Sequence, residues 1–262
     1  MAKLACSLHN YNTPHWPIYM KQRWITFLMA VQFLTRLPTP RIDPFNPALL
    51  PASAIWFPLV GLIIGSLLWL AAWVGHLLDP WLAAVLCLMF WVWVTGGLHL
   101  DGLADMSDAL GAAHRDPARF LAVLKDPHLG SFGVIALVMQ LLAKLVGLML
   151  LVKQQHLAYL LLIPAWARLG TLYWSRTLPP LGHGMAEQFQ WQFSRHVLWI
   201  WAALLMIASA WLAPALLAAL ALTWWWKHFL IKRVGGVTGD CLGAGVEILE
   251  SGLLLLGAIP LI

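Results

Sequence analysis

The constraint that most narrows the fold is the succession of apolar runs between Ser53 and Ile262. Seven of them are candidate membrane spans: Ser53–Leu78, Trp81–Leu98, Ser131–Val152, His156–Trp174, His196–Leu212, Pro214–Phe229 and Leu242–Ile262. A bilayer core takes about 20 apolar residues as a helix, because a backbone in hydrocarbon must satisfy its own hydrogen bonds. Hydrophobic residues make up 61% of the chain and charged ones 10%, against roughly a half and a quarter in soluble domains. The expected fold is therefore all-α, a polytopic integral membrane helical bundle forming one domain over residues 24–262. The run Trp24–Leu34 is too short to span and is followed by prolines rather than a small-residue cleavage site. It reads as a short N-terminal interfacial helix, preceded by a polar extension over residues 1–23.

The basic residues test this layout independently. With the N-terminus in the cytoplasm, one side receives Lys3, Lys21, Arg23, Arg36 and Arg41, then Arg115, Arg119 and Lys125, then Arg176 and Arg195, then Lys227, Lys232 and Arg233. That is thirteen of the sixteen Lys and Arg residues, the bias expected of cytoplasmic loops, and it puts the C-terminus outside. Lys153 alone falls opposite, while Lys144 and Arg168 lie within spans. A net charge of +5 scattered singly through loops suits anionic lipid and orientation rather than nucleic acid, which is not an expected partner. Cys6, Cys87 and Cys241 have no paired spacing, so neither a disulfide framework nor a cysteine zinc site is expected. The seventeen tryptophans, Trp91, Trp93 and Trp224 to Trp226 among them, read as an interfacial belt.

Chemistry is concentrated in Thr95-Gly-Gly-Leu-His-Leu-Asp-Gly-Leu-Ala-Asp-Met-Ser-Asp-Ala-Leu-Gly111, which holds Asp101, Asp105 and Asp108 in a chain with only 11 acidic residues. At about 100° per residue the second and third carboxylates lie roughly 40° and 20° to either side of the first. Three like charges on one stripe beside a membrane call for a cation, and carboxylate oxygens suit Mg²⁺, Mn²⁺ or Ca²⁺. The plainer alternative is that the three aspartates cap and solvate an ordinary cytoplasmic helix start, which three acids on one face beside the membrane disfavour. A second stretch, Lys125-Asp126-Pro-His-Leu-Gly-Ser-Phe-Gly133, offers a basic residue and an acid beside a Gly/Ser turn, a place for phosphate or equally a plain turn. A third, Val234-Gly-Gly-Val-Thr-Gly-Asp-Cys-Leu-Gly-Ala-Gly-Val-Glu247, follows Lys232 and Arg233. Asp240 and Glu247 share a helix face there as candidate metal ligands, and Gly236 and Thr238 belong to a turn whose N–H groups suit an anion. Its glycines would also serve simple helix packing. Glu250 falls on another side of that helix. Arg168, costly inside an apolar run, is a candidate for phosphate. Together these features point to metal-assisted phosphoryl transfer at the cytoplasmic membrane face, with Asp101, Asp105, Asp108 and Asp240 as its catalytic carboxylates.

These motifs resemble those of the cobalamin synthase (adenosylcobinamide-GDP ribazoletransferase) family. The likeness rests on His99-Leu-Asp-Gly-Leu-Ala-Asp-Met-Ser-Asp108, Lys125-Asp126 with Leu129-Gly-Ser, Gly235-Gly-Val-Thr-Gly-Asp-Cys-Leu-Gly-Ala244 and Phe33-Leu-Thr-Arg-Leu-Pro-Thr-Pro40. Ala109 departs from a frequent glycine, and Phe132 from a frequent histidine. The resemblance implies a Mg²⁺-dependent inner-membrane transferase joining α-ribazole, or its 5′-phosphate, to adenosylcobinamide-GDP. The products would be GMP and adenosylcobalamin or its 5′-phosphate. Expected protein partners are a second copy of the chain or other corrinoid-pathway enzymes. Two other readings of the residues are a CDP-alcohol phosphotransferase, whose aspartate spacing differs, and a cation or corrinoid transporter lined by Lys144, Arg168 and the acids.

Overall fold

The computed structural model describes residues 18–43, 46–113, 116–181 and 193–259. Among them the chain is helical with no strand, only a single parallel bridge between Pro180 and Val237. The helices are α1 (Ile18–Leu34), α2 (Leu50–Ser53), α3 (Phe57–Gly75), α4 (Pro80–Thr95), α5 (Leu98–Ala113), α6 (Pro117–Val123), α7 (Ser131–Lys153), α8 (Ala158–Thr177), α9 (Arg195–Leu212), α10 (Ala219–Arg233) and α11 (Gly239–Gly257). Helix α1 begins at Ile18, inside the stretch read as an extension, and residues 1–17 lie outside the described residues. Its inner face, including Met29, Ala30 and Leu34, is buried. The Trp56 indole N–H donates to Thr26 at 3.1 Å and fastens α1 to the start of α3.

Among the described residues all seven apolar runs are mainly helical, the second breaking at Gly96 and Gly97. On length and apolarity alone three helical stretches can cross a bilayer, Pro47–Gly75, Ser131–Lys153 and Arg195–Leu212, or four if the bent pair α4–α5 is one span. Two of the remainder, α8 and α11, fall short for a reason visible in the packing: they are interior helices. Arg168 and most of α8, and Glu247 and Glu250 of α11, are buried within the bundle, so these helices need not match lipid. Outer faces are different. Ile135, Val138, Met139 and Leu142 on α7, and Trp199, Ile200, Ile207 and Trp211 on α9, are exposed, a surface suited to a bilayer and not to water. The tryptophans divide between the two environments: Trp91, Trp166, Trp174 and Trp226 are buried, so Trp91 and Trp226 are core residues and not part of a belt. Large indoles fill volume between helices as readily as they line an interface.

Close backbone approach builds the centre. Helix α3 runs antiparallel along α8 with Gly61 and Gly65 on the contact face. A β-carbon at Gly61 would lie 2.5 Å from Ala165 Cα, and one at Gly65 would overlap the Leu161 carbonyl oxygen. Small residues let helices touch in this way where lipid supplies no hydrophobic drive. Gly65→Val is expected to destabilise the protein by about 1–3 kcal/mol, as overpacking does, read as a lower thermal midpoint in detergent. Gly239→Ala, where a β-carbon meets open space, is expected to leave the midpoint nearly unchanged.

Candidate functional site

The acid-rich stretch is set by a sharp bend. Helix α4 ends at Gly96 (φ 68°), Gly97 follows at φ 71°, and α5 leaves at 86° to α4. Two consecutive left-handed residues are affordable only for glycine. The turn is held by Gly96 N–H to Trp93 O (3.1 Å) and by Arg36 N–H of the segment after α1 to Val94 O (2.7 Å). Helix α5 therefore lies past the α4 span, across one end of the bundle.

There α5 crosses the start of α11 with no side chain between them. A β-carbon at Gly102 would stand 3.0 Å from Asp240 Cα, and one at Gly243 would stand 3.4 Å from His99 Cα. This crossing brings Asp240 to Asp101 and Asp105, joining the first and third sequence motifs. Asp101 is exposed, Asp105 and Asp240 half-buried. Burial, followed by the negative charges of Asp101, Asp240 and Asp108, pushes the Asp105 carboxyl up to about 6. The ordinary value is 3.8, so the folded state holds this proton more tightly than the unfolded chain. The resulting stabilisation is complete below about pH 4 and is lost as pH rises through about 6. In chelator, the thermal midpoint is expected to fall across that window, and Asp105→Asn to flatten the decline.

Asp108 is differently employed. Its carboxylate accepts the Gly130 N–H at 2.8 Å and the Gly133 N–H at 2.9 Å, capping α7 from another helix and complementing its N-terminal dipole. The second motif is thus tied to the first. Within that motif Asp126 accepts the His128 backbone N–H at 3.1 Å and contacts His128 Nδ1 at 2.6 Å, which shapes an exposed turn beside exposed Lys125.

The turn before α11 is also occupied structurally. Thr238 caps α11 by accepting the Cys241 N–H at 3.2 Å, and Gly236 is buried against Pro179 and Leu181. Lys232 and Arg233 are exposed in the last turn of α10. Arg233 borders a groove of about 430 Å³ shared with Ser107, Leu110, Phe132, Ile135 and Phe229, directly beside α5.

Arg168 and Glu247 are not brought to this end. Arg168 is completely buried and its Nη1 pairs with Glu250 Oε1. Lys144 Nζ reaches Glu247 and Glu250 at 2.6 Å each and lies 4.6 Å from the centroid of the Trp91 ring. Gln140 donates to both the carbonyl and the carboxylate of Glu247 at 2.8 Å, and Arg168 Nη2 stands 3.4 Å from His99 Nδ1. Lys144 thus connects Glu247 with Glu250, which as residues i and i+3 are neighbours on the helix surface, so Glu250 does not fall on a separate side. The acids at i and i+3 on α11, together with two cations in apolar runs, were the signal for this network. Glu250→Ala is expected to cost about 3–5 kcal/mol because it strands buried cations. Replacing the pair, Glu250→Leu with Arg168→Met, is expected to recover much of that loss in the same unfolding assay.

Among the described residues, no three His, Cys, Asp or Glu side chains are gathered closely enough to form a ready-made metal cage. Mg²⁺ asks for less: one or two carboxylates, with water and substrate phosphate completing its shell. Asp101, Asp105 and Asp240 offer oxygen donors of the kind such an ion takes, and the like charges add to burial in raising Asp105.

Residues 26–258 match the family described as cobalamin-5-phosphate synthase. The adenosylcobinamide-GDP ribazoletransferase of Laribacter hongkongensis is 58% identical over 236 residues, covering 89% of this chain and 96% of that protein. The protein of the same name from Thiobacillus denitrificans is 50% identical over 235 residues (89% and 95%), and that from Brevibacillus brevis 35% over 238 (87% and 96%). No solved structure matches the chain. With similarity running through every helix from α1 to α11, the chain belongs to the cobalamin-5-phosphate synthase family.

Proposed function

We propose that this chain is a Mg²⁺-dependent ribazoletransferase that joins α-ribazole, or its 5′-phosphate, to adenosylcobinamide-GDP. It releases GMP and forms adenosylcobalamin or its 5′-phosphate. The observation that carries the reading is the glycine crossing of α5 and α11, which sets Asp240 against Asp101 and Asp105. The names of the relatives supply the substrates.

In the reaction, a ribazole hydroxyl oxygen bonds to the cobinamide-side phosphorus as the bond from that phosphorus to the GMP oxygen breaks. Asp101, Asp105 and Asp240 would hold Mg²⁺, which would supply charge neutralisation for the diphosphate and the departing GMP. A carboxylate of this set takes the hydroxyl proton. Asp108 acts at one remove, fixing the start of α7 and with it the Lys125–Asp126 turn. Lys232 and Arg233, at the neighbouring end of α10, meet phosphate charge. The groove beside Phe132 and Phe229 suits the aromatic base of ribazole. Arg168 and Glu247 build the frame and do not touch substrate, because their charges are committed to each other's neighbours in the interior.

The site lies where α4, α8 and α10 end and α7, α9 and α11 begin. Those connections and helix ends carry eight of the sixteen Lys and Arg residues, and five more precede α3. By the positive-inside rule this is the cytoplasmic face of the inner membrane, with the N-terminus on the same side. Asp101→Ala is expected to lower Mg²⁺-dependent GMP release from the two substrates by at least about 100-fold, the scale of losing a key electrostatic group. The assay uses membranes that retain the protein. Undiminished release would remove Asp101 from the reaction.

A further inference from the structure

A second cavity, of about 550 Å³, lies between α8, α9 and α10, and no residue of α5, α7 or α11 lines it. Its α8 wall recurs at helical spacing from Trp166 to Thr177, a length of about 16 Å at 1.5 Å per residue. That equals the depth of one leaflet, half of a hydrocarbon core of about 30 Å. Among the described residues the slot carries charge at one end only. Arg176 closes α8 and Arg195 opens α9 at that end, while Trp166 and Ala202 lie at the other. Arg176 is positioned by the Phe193 carbonyl at 3.0 Å and by the Phe193 ring. Tyr173, Trp199 and Trp224 line the length between, and the last two are 67% and 58% exposed on the outer apolar surface.

We infer that this slot is a binding site for an anionic phospholipid. Two guanidiniums at the membrane surface take the phosphate, and the aromatic wall takes one acyl chain. Arginine suits a phosphate better than lysine does because its planar fork donates in pairs. The occupant is lipid and not a soluble anion because the slot opens through exposed tryptophans onto the bilayer-facing surface and matches a leaflet in depth. Its charge sits at the headgroup level. The site is separate from the acidic face and stands whether or not the proposed reaction does.

The test is lipid protection of the purified full-length chain in detergent, read as the rise in thermal midpoint on adding phosphatidylglycerol, phosphatidylcholine or inorganic phosphate. Half-saturation by phosphatidylglycerol is expected at a concentration roughly tenfold or more below that for phosphatidylcholine, in keeping with two basic residues near a surface. The Arg176→Gln/Arg195→Gln double variant is expected to lose the preference. Arg195→Gln alone, at an exposed position, is expected to lose several-fold, and it keeps the test open if the double variant fails to fold. Ala202→Trp, which fills the far end, is expected to abolish protection by both lipids. Equal protection of the wild type by both lipids would overturn the inference. So would an undiminished preference in Arg195→Gln, or inorganic phosphate protecting as well as phosphatidylglycerol.

Discussion

Lys144 and Arg168 cannot stand in an apolar interior unless anions meet them, and the arrangement of the bundle follows from where those anions lie. Glu247 and Glu250 put both on α11, so α7 and α8 must each face that helix. Trp91 draws α4 to the same point through the Lys144 ammonium, and His99 of α5 meets the Arg168 guanidinium. Helix association in a membrane gains little from burying apolar surface. Satisfied charge and glycine contact therefore carry much of the specificity. An apolar bundle could slide or rotate; this one loses a buried ion pair if it does.

That frame explains the division of labour among the acids. Asp240 opens α11, and Glu247 and Glu250 follow on the same helix. The helix whose interior acids bind the neighbouring helices therefore also delivers a carboxylate to the end of the bundle. Asp108 gives its oxygens to α7 amides, which leaves Asp101, Asp105 and Asp240 as the members of the face not engaged in a cross-helix cap.

Helicity and the three motifs were legible in the sequence because each has a local signature: apolar length, glycine pairs, acids at i, i+4 and i+7. Partnership was not. Helical phase grouped Asp240 with Glu247, which a single helix face allows, yet the length of α11 sends one to the surface and the other to the interior. Setting Glu250 on another side misreads the phase, since i and i+3 are neighbours, and Lys144 reaches both acids. Arg168 illustrates the same limit. A cation in an apolar run announces that it must be paired, and only tertiary structure says whether the partner is phosphate or a glutamate of the same chain. The span count was blurred for a related reason, since helices such as α8 and α11 are largely enclosed by their neighbours and carry charge where it is paired.

The contact of α5 with α11 is backbone against backbone at Gly102 and Gly243. Side-chain interfaces reshape themselves by rotamer exchange within picoseconds to nanoseconds, whereas whole helices shift on the microsecond to millisecond scale. With no rotamer to turn at this crossing, fast motion has nothing to act upon. The backbone spacing beneath the acidic face is therefore quiet on the timescale of bond rotation, and changes only when an entire helix moves; the carboxylates turn on a fixed base.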